Sequence, residues 1–234
     1  GIQPIIADAA ALFGNAASLG FKAKHRVARS VKVSPTPAPA WAQGPGIATG
    51  TFAQIEIVIR GEPVRLWTLA GVFAHDRLDA GTALLLDHLD VAPGARVLDA
   101  GCGLGILGIA AARAGAGHVD LIDVSLLAVE ATAHNLQETG ASPARVLVSD
   151  GLAAVADEHY DMIVTNPPFH AGKGVTLDVA QVFITHGRQL LNPGGRIVLV
   201  ANRFLRYDEL IGAHYARVER LAQTPSYHVL LGVR

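Results

Sequence analysis

The chain has 234 residues, half of them apolar, and a formal net charge of −1 at pH 7, which suffices for one α/β domain and a smaller appendage. Near-neutral charge does not by itself point to nucleic acid, and one cysteine, Cys102, excludes an internal disulfide or a cysteine-based zinc site. Apolar runs are broken by Gly, Asp or His well short of the ~18 residues that suggest a membrane span, and no secretory signal is visible, so a cytoplasmic protein without membrane attachment is expected.

In chain order, Ile5, Ile6, Ala9, Leu12, Phe13, Ala16 and Leu19 recur near helical spacing and predict a helix from Pro4 to Leu19, ended by Gly20. The chain enters this helix directly from Gly1, without an initiator methionine, as expected of a piece of something longer. Val27, Val31 and Val33 predict a strand in the one dense basic stretch, which carries Lys22, Lys24, Arg26, Arg29 and Lys32. That stretch is either a solvated strand face or a phosphate-contacting strip. Pro35, Pro37, Pro39 and Pro45 then read as a linker, with a domain boundary near residue 44.

Ile55, Ile57 and Ile59 alternate with polar neighbours, and Arg60-Gly61-Glu62-Pro63 turns into Val64–Leu69, predicting a β-hairpin. The polar loop 71–82 follows, then a helix from Ala83 to Leu89. Within the loop, Arg77, Asp79 and Thr82 are candidates for a flap over a ligand, with N-capping of the next helix by Asp79 or Thr82 as the other reading.

Next comes Val97-Leu98-Asp99-Ala100-Gly101-Cys102-Gly103-Leu104-Gly105, a buried strand running into a glycine loop, with a helix rich in Ile, Leu and Ala behind it. Such a loop aims free backbone N–H groups at whatever sits above the strand. The dinucleotide fingerprint is G-x-G-x-x-G, whereas the glycines here alternate as Gly101, Gly103 and Gly105. Asp99 would repel a pyrophosphate and attract a cation. The inferred ligand is a nucleoside bearing an amino-acid ammonium group, which describes S-adenosylmethionine. Cys102 lies inside this loop and reads as a small packing residue.

The pattern continues as βα units: strands at 119–124, 144–148, 160–165 and 196–201, with helices at 126–138 and 177–191, the latter stopped by Asn192-Pro193-Gly194-Gly195. This alternation implies a parallel sheet covered on both faces, with ligands at the strand C-termini. A short helix at 207–213 precedes strands at 217–223 and 227–233, joined too closely for a helical crossover and therefore antiparallel.

Asp99, Asp123 and Asp150 fall at the C-terminal ends of the first three parallel strands. The second can accept from two ribose hydroxyls and the third from an adenine amino group. Asp123 is also a candidate helix cap. At the fourth strand end stands Asn166-Pro167-Pro168-Phe169. The Asn166 side-chain oxygen and the Pro167 carbonyl can take both hydrogens of a planar –NH2, while Phe169 offers a stacking face. Holding both hydrogens aims the nitrogen lone pair at an electrophile, which suits methyl transfer from sulfonium to nitrogen. His170 and Lys173 either touch a substrate phosphate or are solvated. The histidines show no metal-ligand spacing.

D-x-G-x-G-x-G at 99–105 with Asn166-Pro167-Pro168-Phe169 resembles the class I S-adenosylmethionine-dependent methyltransferases that act on planar nitrogen. Within these, G-V-F-x-x-D-x-L-D-x-G at 71–81, N-P-P-F-H-x-G at 166–172, A-N-x-F-L at 201–205 and A-Q-T at 222–224 resemble the bacterial small-subunit (16S) ribosomal RNA guanine-N2 methyltransferases. The resemblance covers residues 50 to 234. It implies a Rossmann-like α/β domain over residues 45–234, with a mostly parallel seven-stranded sheet, an antiparallel C-terminal strand and helices on both faces. It further implies Asp99, Gly101, Gly103, Gly105, Asp123 and Asp150 as cofactor ligands, with Asn166, Pro167 and Phe169 holding guanine. Asp79 is placed with the cofactor group as part of the flap. Residues 1–44 resemble only the tail of the RNA-binding first domain of that family. Ribosomal RNA or the small subunit is the expected partner; adenine N6, a glutamine amide, or a non-catalytic binding module are the alternatives.

Overall fold

Apolar runs at 97–100, 119–122 and 160–164 have no polar alternation because both sides of each strand are covered, as a parallel sheet inside an α/β fold requires. The structure, a computed structural model, describes residues 3–22, 25–32, 37–168 and 179–234. It divides into two compact units, Gly1–Thr51 and Phe52–Arg234.

In the first unit, helix α1 (Gln3–Phe13) buries no residue. Strands β1 (Ala17–Lys22) and β2 (His25–Arg29) form an antiparallel hairpin exposed along its length. The helix expected to reach Leu19 stops at Phe13. Gly14 turns left-handed at φ 81°, and the Asn15 side chain bonds the backbone of Val31, accepting from its N–H at 3.1 Å. Ala16 to Leu19 therefore lie beyond the helix. The helical spacing over that stretch was accidental, because the competing strand pairing is non-local.

The second unit opens with β3 (Ala53–Ile59) and β4 (Glu62–Thr68), an antiparallel hairpin turned by Arg60 and Gly61, both at positive φ. Ile57, Ile59, Val64 and Leu66 are buried. Helix α2 (Ala80–Asp87) begins three residues earlier than its apolar pattern suggests. Its N-cap is Asp79, so a polar side chain rather than hydrophobic periodicity sets the start.

The remaining elements are β5 (Arg96–Ala100), α3 (Ile106–Arg113), β6 (His118–Asp123), α4 (Leu126–Thr139), β7 (Ala144–Val148), β8 (Tyr160–Thr165), α5 (Val179–Thr185), α6 (Gly187–Leu190), β9 (Leu191–Asn202), α7 (Tyr207–His214), β10 (Arg217–Gln223) and β11 (Tyr227–Val233). Seven of these strands form one sheet in the order β10-β11-β9-β8-β5-β6-β7. β5 to β9 run parallel. β11 is antiparallel to both β9 and β10, so it alone runs against the rest. The Asn192-Pro193-Gly194-Gly195 stop is absorbed into the start of β9, where the pairing with β8 shifts register between Tyr160 and Met162.

Strand order reverses between β5 and β8, which opens a crevice at their C-terminal ends. Thr165 closes the seam below it by donating its hydroxyl to the Ala100 carbonyl at 2.6 Å. Two apolar clusters cover the faces, one around Leu66, Leu85, Ile109 and Leu121, the other around Leu98, Ile163, Phe183 and Leu230. On the side away from the crevice, fully buried Asp120 accepts from the Tyr160 hydroxyl at 2.6 Å, from Arg145 and from His118. Burial raises its carboxyl, but these hydrogen bonds outweigh burial and hold it below the usual range. Among the described residues, no helix is long and apolar enough to cross a membrane, and no three His, Cys, Asp or Glu side chains could hold a metal ion.

Candidate active site

The glycine loop leaves β5 and reverses into α3 with Gly101, Gly103 and Gly105 all at positive φ, 74°, 57° and 78°. At Gly105 a side chain is excluded twice, since an added Cβ would also lie 2.9 Å from the Thr132 methyl. Neighbouring elements fasten the loop. The N–H groups of Gly101 and Cys102 both donate to the Ile122 carbonyl, at 2.8 and 2.9 Å. From α4, the Thr132 hydroxyl donates to the Gly103 carbonyl at 2.8 Å, and the Asn135 amide donates to the Leu104 carbonyl at 3.0 Å. Asn135 also pairs with both backbone groups of Trp67, at 2.7 and 3.0 Å, and so ties the β3–β4 hairpin to the loop. Neither Thr132 nor Asn135 stands out by motif. Their signal is two fully buried polar residues three positions apart on one helix face.

Asp99 is fully buried. One carboxylate oxygen accepts from the Gly108 N–H at 2.8 Å, while the other, Oδ1, has no partner among the described residues. Burial pushes this carboxyl up to about 7; the Gly108 N–H pulls it down and the nearby Asp123 charge adds to the rise. An orphaned buried acceptor beside a glycine loop is what an ammonium-bearing ligand would complete. A Cβ at Gly108 would lie 2.4 Å from Leu121 and 3.2 Å from Asp99, so this close approach requires glycine.

Asp123 accepts from the Gly103 N–H at 3.0 Å and the Ser125 N–H at 2.8 Å. The cap of α4 is Ser125, so Asp123 instead joins the end of β6 to the glycine loop, and each of its oxygens keeps a second lone pair for a ligand. Asp150 is exposed beyond β7 and borders a groove with Val179, Val182 and His186 of α5. The Cys102 thiol is buried and pushed well up by burial and by Asp99 and Asp123, which suits packing rather than nucleophilic attack.

Asn166 follows β8, half-buried, with Pro167 buried and Pro168 exposed behind it. Its amide nitrogen donates to Asp79 Oδ2 at 3.0 Å and to Thr82 Oγ1 at 2.8 Å, so both Nδ2 hydrogens are committed. Asn166 Oδ1 is then the side of the amide that can accept from a substrate –NH2. Asp79, expected in a flap, thus both caps α2 and bonds Asn166, while Arg77 is exposed and pairs with Asp76 at 3.1 Å. Phe169, His170 and Lys173 lie outside the described residues.

The family model for the methyltransferase small domain matches residues 63–231. The chain is 39% identical over 173 residues to the ribosomal RNA small subunit methyltransferase C of Stutzerimonas stutzeri, covering 74% of this chain and 52% of that protein. It is 41% identical over 174 residues to the protein of that name from Hahella chejuensis, covering 74% and 50%. The chain therefore spans about half the length of these curated relatives. Among solved structures, a T. thermophilus 16S rRNA N2 G1207 methyltransferase in complex with AdoMet and guanosine superposes with a TM-score of 0.85 at 31% identity, covering all of this chain and 62% of that one.

Proposed function

Because this chain belongs to the methyltransferase small domain family, we propose that it binds S-adenosylmethionine and methylates the exocyclic N2 amino group of a guanine in small-subunit ribosomal RNA in the cytoplasm. The observation that carries this reading is the Asn166 amide, with both hydrogens tied to Asp79 and Thr82 and its oxygen left to accept. The names of the relatives and the guanosine bound by the T. thermophilus enzyme support guanine and ribosomal RNA.

S-adenosylmethionine supplies a methyl group on an electron-poor sulfonium. The residues suited to hold it are Gly101, Gly103 and Gly105 through their backbone, Asp99 through its unpaired Oδ1, and Asp123 and Asp150 at the neighbouring strand ends. On the acceptor side, Asn166 Oδ1 and the Pro167 carbonyl take the two amine hydrogens, with Phe169 as the stacking face. That fixes the plane of the –NH2 and with it the direction of the nitrogen lone pair. Two acceptors on the amine also favour its loss of a proton as the new N–C bond forms, so no strong base is required. Residues 1–44 are read as the tail of an RNA-binding domain, with Lys22, Arg26, Arg29 and Lys32 as phosphate contacts.

The test is to incubate the chain with methyl-labelled cofactor and small-subunit RNA, assembled subunits or a protein extract, followed by nucleoside and peptide mass analysis. N2-methylguanosine is the expected product. N6-methyladenosine or methylglutamine as the labelled species overturns the assignment of the acceptor.

A further inference from the structure

Asn166 and Asp79 stand 87 positions apart in the chain, yet a single amide joins them. Asp79 Oδ2 is the hub: it accepts from the Thr82 N–H at 2.9 Å as the α2 cap and from Asn166 Nδ2 at 3.0 Å. Thr82, only 7% exposed, places its hydroxyl 2.8 Å from the same nitrogen. This corner has little room to adjust. An added Cβ on Gly81 would meet Asp79 Oδ2 at 3.0 Å and the Tyr227 ring of β11 at 3.3 Å.

A primary amide can sit in either of two orientations that differ by exchange of oxygen and nitrogen. Thr82 tolerates both, because a hydroxyl accepts or donates. Asp79 does not: an ionised carboxylate only accepts, and a reversed Asn166 would set two acceptors against each other with a buried donor lost. The carboxylate also polarises the amide and makes Oδ1 a stronger acceptor.

We propose that Asp79 and Thr82 are positioning residues for the acceptor site, holding the Asn166 amide with its oxygen toward the incoming amine and so selecting a base that carries –NH2 over one that lacks it. This rests on the guanine reading above and extends it from the residue that touches the substrate to the pair that orients it. It also moves Asp79 from the cofactor's side of the crevice, where the sequence suggests it, to the acceptor's side.

The test is the ratio of guanosine to inosine affinity, measured by calorimetry on the chain saturated with S-adenosylhomocysteine; inosine differs only by lacking the 2-amino group. The wild-type chain is expected to prefer guanosine by about tenfold, the worth of one well-made hydrogen bond plus the cost of leaving its acceptor unmet. Asp79→Ser keeps a good helix cap but is too short to reach Asn166, and Thr82→Val removes the second acceptor. In the double variant the preference is expected to fall to within about twofold of equality while S-adenosylhomocysteine affinity holds within about twofold. Asp79→Asn, which can still offer an oxygen to Asn166, is expected to restore most of the preference lost in Asp79→Ser. Should the double variant not fold, Thr82→Val alone is measured in the same way and is expected to lose part of the preference. A preference that survives these changes, or one lost in proportion to cofactor affinity, overturns the inference and leaves the guanine reading standing. A wild-type chain that does not distinguish guanosine from inosine overturns both.

Discussion

Asp99 makes cofactor binding a proton-linked event. Its carboxyl is raised to about 7 by burial and carries an unpaired oxygen, so below neutrality it is largely uncharged, and a cationic ammonium placed beside it favours the charged form. Binding must then release a proton. With one linked group titrating near 7, affinity scales as one over 1 + 10^(pKa − pH), so lowering the pH from about 8 to about 5 is expected to weaken binding by about 100-fold. Most of that window lies below the range in which an α-amino group itself titrates, roughly 7.7–8.0. The assay is calorimetric titration with S-adenosylhomocysteine across this range, repeated in buffers of different ionisation enthalpy to count released protons. Asp99→Asn is expected to bind more weakly at neutral pH and to show a flat profile. The ligand-free fold carries the opposite sign. A carboxyl raised from 3.8 to about 7 binds its proton more tightly when folded, so the wild-type chain loses stability as pH rises between those values, by up to about 4 kcal/mol. A wild-type affinity independent of pH below 7, or an equal slope in Asp99→Asn, would refute the placement of Asp99 beside the ammonium.

Asn166→Ala removes the side-chain acceptor and is expected to slow single-turnover methyl transfer by about 100-fold to 1,000-fold while cofactor affinity stays nearly constant; calorimetry and rapid-quench measurements separate the two. Asn135→Ala strands both backbone groups of Trp67 and the Leu104 carbonyl, an expected loss of about 2–4 kcal/mol in urea unfolding, with weaker cofactor binding because the glycine loop is no longer held from α4. Tyr160→Phe removes the hydroxyl that donates to buried Asp120 and is expected to cost about 2 kcal/mol at neutral pH. Because Asp120 is held below its ordinary range, the stability it contributes is complete above about pH 4 and is lost as pH falls through its folded value. The variant and wild-type unfolding curves should therefore converge in acid, and a constant gap down to about pH 2 would show that Asp120 is not the group involved.

Local chemistry made much of this protein legible in its sequence. The unbroken apolar runs of β5, β6 and β8, the alternation of β3 and β4, the alternate glycines at 101, 103 and 105, and the Asn-Pro-Pro tripeptide after β8 each reflect constraints acting over a few residues. The positions of those elements follow from the sequence for that reason. Non-local choices were not legible. Ala16 to Leu19 carry helical spacing but lie past a left-handed Gly14, and the start of α2 is set by a cap rather than by its apolar residues. Thr132 and Asn135 look like ordinary polar residues of an amphipathic helix until the glycine loop is packed on that face. Strand order decides the rest. Only when β8 pairs with β5 and β11 inserts between β9 and β10 does the start of α2 meet the end of β8, bringing Asp79 to Asn166. A residue's type restricts what it can bond, and the tertiary structure selects its partner from among groups far away in the chain.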